Sequence, residues 1–133
     1  PRAEELIYGY AVGLDLTRRD LQTALKEKGR PWEIAKGFEA SGPVGAIMPR
    51  EQVGTLVRGG IRLSVDGEDR QSGDLYQMIW NVNEIISHLS RHWSLVAGDI
   101  VFTGTPAGVG AVVRGNHLQG SIDGLDGIQV ELV

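Results

Sequence analysis

The stretch GIRLSVDGEDRQSG, residues 60–73, carries the tightest local constraint in the chain. Its Asp66-Gly67 pair selects a two-residue β-hairpin turn, because both turn positions need a positive φ that Asp and Gly tolerate. Glycine extends the argument: 19 of the 133 residues are Gly, so frequent tight turns and a β-rich fold are expected. Residues 6–16, LIYGYAVGLDL, read as a buried strand, and 44–49, VGAIMP, as a short strand ended by Pro49. GDIVFTGT (98–105) is the clearest strand, with PAGVGAVV (106–113) turning away from it. Residues 116–133 read as two final strands around a Gly/Asp turn.

Helical spacing enters twice. In TRRDLQTALKEKG (17–29), Thr17 can cap, Leu21 and Leu25 lie four apart, and Gly29 stops the helix. From Tyr76 to Trp93, apolar residues at 78, 79, 82, 85, 86, 89 and 93 predict a second helix. Between 30 and 43 the Pro/Gly-punctuated sequence predicts a loop with one helical turn after Pro31. No repeat or linker divides the chain, so one domain is expected.

With 41% apolar and 23% charged residues the chain reads as a folded, soluble domain with a sizeable core. Its net charge of −4 argues against a nucleic-acid or anionic-membrane partner, both of which select for basic patches. No apolar run approaches the roughly 20 residues of a membrane span, and no signal peptide is visible. The absence of cysteine excludes disulfides and thiolate metal sites, and a cytoplasmic location is expected.

Candidate chemistry gathers where the first apolar run ends. Asp15 sits at the mouth of that run, and such a carboxylate suits a hard cation such as Mg²⁺ or Mn²⁺. Arg19 and Gln22 share a helix face and can hold a substrate carboxylate. A plain Asp15–arginine salt bridge is the structural alternative, and spacing does not separate the two. Lys36, between apolar neighbours in AKGF, is either a catalytic amine or anion clamp, or a lysine that snorkels to water. GTPAGVG (104–110) fails as a phosphate loop, leaving a tight turn or a backbone and Thr105 surface for a small ligand. His88 and His92 are four apart, but Leu89 stands where a zinc-protease motif needs Glu, so solvent-facing histidines are expected. No G-x-S-x-G occurs.

Five blocks in order, GYAVGLDLTRRDLQ, GRPWEIAKGFEASGPVG, LSVDGEDRQSG, LVAGDIVFTGTPAGVGAV and GLDGIQVELV, resemble the fumarylacetoacetate hydrolase superfamily over nearly the whole chain. The double arginine and GRPWEIAKGF look most like its fumarylpyruvate hydrolase branch, with the acylpyruvase and oxaloacetate decarboxylase branch close behind. The resemblance implies an α+β, β-rich fold, a mixed β-sandwich roll with short helices, and a homodimer. It implies cleavage of fumarylpyruvate or a related acylpyruvate, a 1,3-dioxo acid of aromatic-compound breakdown. By the same resemblance Asp15 is a ligand of Mg²⁺ or Mn²⁺, and Lys36 stabilises negative charge on the substrate. Arg19 and Gln22 hold its carboxylate and oxo groups, and Thr105 contacts it from the opposite side.

The family's other metal ligands form a Glu-x-Glu pair upstream of the aspartate, beside a His-Glu pair that activates water. This chain has no Glu-x-Glu, and Asp15 lies fourteen residues from its start. The expectation is therefore that residues 1–133 are the C-terminal portion of a single catalytic domain whose N-terminal strands are missing. A naturally short oligomerisation module, a partner chain that supplies the ligands, and a decarboxylase or isomerase of 2-oxo dioic acids remain open alternatives. Asn116, where the family often carries Asp, is expected to affect a turn rather than chemistry.

Overall fold

The computed structural model describes residues 3–133. Strands β1 (Gly9–Tyr10), β2 (Met48–Pro49), β3 (Gly60–Val65), β4 (Glu68–Asp74), β5 (His117–Ile122) and β6 (Ile128–Glu131) form two antiparallel sheets. One pairs β1 with β2, and the other has the order β4-β3-β5-β6. Among the described residues four short α-helices complete the α+β fold: α1 (Arg19–Glu27), α2 (Glu33–Lys36), α3 (Arg50–Val53) and α4 (Val82–Leu89). None among the described residues is long and apolar enough to cross a membrane.

The β3–β4 hairpin turns at Asp66 and Gly67, whose φ values of 52° and 82° are both positive as the Asp-Gly pair requires. The Asp66 carboxylate then ties the turn to β5, accepting from the His117 amide at 2.8 Å and the Asn116 side-chain amide at 2.7 Å. Asn116 also accepts from the Val113 amide, so it works within a turn. Alternation along the strands puts Val65, Leu118 and Ile128 on one face, where all three are buried.

Val12 and Leu14 lie across that face. A Cβ built on Gly120 of β5 would stand 3.1 Å from Val12 and 3.2 Å from Leu14, so the bare glycine admits the crossing segment. Each such buried aliphatic side chain stabilises the fold by about 1.5–3 kcal/mol. Leu63, Val112, Leu125 and Val130 close the cluster. The crossing segment thus reaches Asp15 with its path already fixed.

Four expected elements differ, one of them 44–49, whose ladder is confined to Met48–Pro49 with an isolated bridge at Val44. Residues 6–16 form a ladder only at Gly9–Tyr10, with one isolated bridge between Gly13 and Val44. The segment still runs beside 41–50: Leu14 donates to Pro43 O, Leu16 to Ser41 O, and Gly45 to Val12 O. Tyr10 faces Met48 while Val12 binds Gly45, so three steps on one side match two on the other. Pro43 lacks the N–H that would return a bond to Leu14 O and complete the ladder there. The expected strand at 98–105 is not a strand. It has the right residues, but no edge among the described residues pairs with its backbone.

The expected helix over 76–93 divides into a 3₁₀ turn at Leu75–Gln77 and α4. Asp74 and Gln77 cap the first reciprocally, and Asn81 and Glu84 the second, through Glu84 N–H to Asn81 at 3.0 Å and Asn81 N–H to Glu84 at 2.8 Å. A second cap inside the apolar pattern restarts the helix.

Tyr10 gives the fold a pH dependence. Burial pushes its phenol above the ordinary value of 10.0, only partly offset by the Leu56 backbone and Arg50. Above that value the folded chain keeps a proton that the unfolded chain releases, so stability falls as pH rises through it. Urea midpoints taken from pH 9 to 11 should fall more steeply for the wild type than for Tyr10→Phe.

Candidate active site

Asp15 and Lys36 meet because two turns are locked together. Ala35 is completely buried, and its carbonyl accepts from the Arg18 amide at 3.0 Å. That bond fastens α2 beneath the entrance to α1 and turns the next residue, Lys36, toward the end of the crossing segment. Lys36 Nζ lies 2.6 Å from Asp15 Oδ1 and donates to Thr17 Oγ1 at 2.8 Å. An ammonium has three N–H donors, so one remains for an incoming oxygen. Side-chain exposures of 51% for Asp15 and 36% for Lys36 leave the pair open to a ligand.

Thr17 was expected to cap α1; instead its hydroxyl accepts from Lys36, and the N-cap is Arg18, without a side-chain cap bond. The adjacent arginines separate. Arg18 stacks on the Phe38 ring at 4.4 Å, whereas Arg19 donates to Gln22 Oε1 at 2.5 Å across the first turn of α1. The salt bridge between Asp15 and an arginine does not form; lysine takes that place.

Thr105 comes from another direction. Phe102 packs on the backbone at Gly13, where a Cβ would fall 2.8 Å from the ring edge, and against Gly42. Three residues on, Thr105 Oγ1 accepts from Gln71 Nε2 at 2.8 Å. The segment is thereby pinned between the crossing segment that carries Asp15 and β4. Among the described residues no hydrogen bond or ion pair joins Thr105 to Asp15, Lys36, Arg19 or Gln22. Two polar residues of this neighbourhood, Thr17 and Gln71, were not singled out as site residues from the sequence. No sequence signal marks Gln71, because it turns inward only through the register shift between Leu63 and Ser64.

The described residues hold no group of three or more His, Cys, Asp or Glu side chains placed to bind a metal. Mg²⁺ and Mn²⁺ need several oxygen ligands, and Asp15 offers one carboxylate, so these residues alone do not fit such a cation. His88 and His92 do not form a site either. Their rings stand 5.2 Å apart at 61°, edge to face between Trp80 and Trp93.

The chain has relatives among known proteins. It is 48% identical over 124 residues to a fumarylpyruvate hydrolase from Ralstonia sp., covering 93% of this chain and 64% of that protein. The human mitochondrial oxaloacetate tautomerase FAHD1 is 43% identical over 123 residues, covering 92% and 56%. The crystal structure of fumarylpyruvate hydrolase from Pseudomonas aeruginosa in complex with Mn²⁺ and pyruvate superposes with a TM-score of 0.97 at 56% identity, covering 99% and 57%. The chain thus spans between about half and two thirds of the length of these relatives. Residues 1–132 match the family described as fumarylacetoacetate (FAA) hydrolase, C-terminal, and with the fold and these relatives that match places the chain in the fumarylacetoacetate hydrolase family.

Proposed function

We propose that these residues are the C-terminal portion of a catalytic domain that hydrolyses fumarylpyruvate or a related acylpyruvate to pyruvate and a second acid. The contact between Lys36 and Asp15 carries this reading: an ammonium with a free donor stands beside an accessible carboxylate. Asp15 is one ligand of Mg²⁺ or Mn²⁺, and the other carboxylates come from polypeptide beyond residues 1–133. Lys36 directs its remaining N–H at the substrate oxygen where negative charge develops, an interaction that strengthens in the transition state. Arg19 and Gln22 grip the substrate's acidic end, and Thr105 approaches it from the pinned loop.

Two features support a longer polypeptide. The relatives are longer than this chain, and apolar side chains stand open along 93–102, with Trp93 63%, Ile100 57% and Phe102 44% exposed. Further chain of the same enzyme covers them. The expected homodimer rests on the family resemblance. The second reading, an oxaloacetate tautomerase, is favoured by the 43% identity to FAHD1. Incubating the complete enzyme and Mn²⁺ with fumarylpyruvate, then with oxaloacetate, separates the two. Loss of the dioxo-acid absorbance with equimolar pyruvate release supports the hydrolase. Enol–keto exchange of oxaloacetate without cleavage of either acid overturns it.

A further inference from the structure

Among the described residues Gln71 is a buried polar side chain, with 9% exposure. It lies on β4 opposite Leu63, on the inward face of the sheet. Its Nε2 donates twice, to Thr105 Oγ1 at 2.8 Å and to Pro106 O at 2.8 Å. The second bond fixes the direction of the first. A carbonyl oxygen only accepts, so the amide nitrogen must face Pro106, and the same nitrogen must then donate to Thr105. The Thr105 hydroxyl therefore accepts from Gln71, and its own proton is left for an acceptor outside this clamp.

The surrounding backbone also packs closely on the loop. A Cβ on Gly73 would come within 2.9 Å of the Pro106 ring, and Gly108 packs against the Arg70 carbonyl. This close packing holds the loop against β4 alongside the two Gln71 bonds, of which the one to Thr105 orients its hydroxyl.

We propose that Gln71 is a positioning residue that sets Thr105 as a hydrogen-bond donor toward an anionic or carbonyl oxygen of the oxo-acid substrate. The inference rests on the reading of Thr105 as a substrate contact. A hydroxyl free to rotate divides its time among acceptors, whereas one already accepting from a buried amide presents its proton in a fixed direction.

Two measurements test it. Side-chain three-bond couplings at Thr105, read by NMR on the complete enzyme, should report one rotamer in the wild type and averaged rotamers in Gln71→Met. A single rotamer retained in Gln71→Met overturns the clamp, whatever the enzyme does. In the complete enzyme, Gln71→Met and Thr105→Val should each lower kcat/KM for fumarylpyruvate roughly tenfold. The double variant should match Thr105→Val within about twofold, because Gln71 acts through the hydroxyl that Val lacks. Losses that multiply show a separate structural role for Gln71 and overturn the positioning. If Thr105→Val leaves kcat/KM unchanged, the substrate contact assigned to Thr105 fails and the positioning role with it, while the couplings still decide the clamp.

Discussion

Lys36→Ala in the complete enzyme is expected to lower kcat/KM for fumarylpyruvate by about 10²–10³-fold, the effect of deleting one preorganised charge-stabilising donor. Its thermal midpoint should barely move. Lys36 bonds to Asp15 at 2.6 Å and to Thr17 at 2.8 Å, but both charged side chains remain substantially exposed. An ion pair of that exposure contributes only about 0–1 kcal/mol to folding. Kinetics and melting curves measured on the same preparation separate the two roles. A large fall in the midpoint with turnover intact would assign Lys36 to the fold instead.

Gly108→Ala is expected to be the most damaging single methyl addition in the loop that carries Thr105. Gly108 has a φ of +100°, where L-residues are strained, and its Cβ would run into the Arg70 carbonyl oxygen. That neighbour is backbone within β4 and cannot rotate aside. Strain and overlap together should cost about 3 kcal/mol, or the loop should lift away from β4. Urea unfolding reads the first result, and rotamer averaging at Thr105 reads the second. A variant with both the wild-type midpoint and a fixed Thr105 would contradict the packing described here.

Local chemistry made much of this legible in advance. Asp66-Gly67 turns where its positive φ values require, the helix beginning after Thr17 ends before Gly29, and one helical turn follows Pro31. Long-range pairing was less accessible. Residues 98–105 have strand composition, but composition reports extended backbone and not the presence of a neighbouring edge. Asn81 inside an apolar helical pattern restarts the helix because its side chain captures the Glu84 amide.

Gln71 shows the limit within the site. Continuing the two-residue turn without irregularity pairs Val65 with Glu68, Ser64 with Asp69 and Leu63 with Arg70, which sends Gln71 to the outer face. The register instead shifts between Leu63 and Ser64, so Leu63 pairs with Gln71 and the amide turns inward. Asp15 and Lys36 were legible as individual candidates. Their contact depends on the buried Ala35 methyl and the Arg18–Ala35 bond, neither of which leaves a motif.

Mn²⁺ titration of the complete enzyme, followed by calorimetry for the wild type and Asp15→Asn, tests most directly whether this carboxylate serves a cation. Loss of one charged oxygen ligand should weaken Mn²⁺ binding by about 10²-fold or more while the melting curve of the metal-free protein stays close to that of the wild type. Equal Mn²⁺ affinity in the two proteins would contradict the account and leave Asp15 as nothing more than the partner of Lys36.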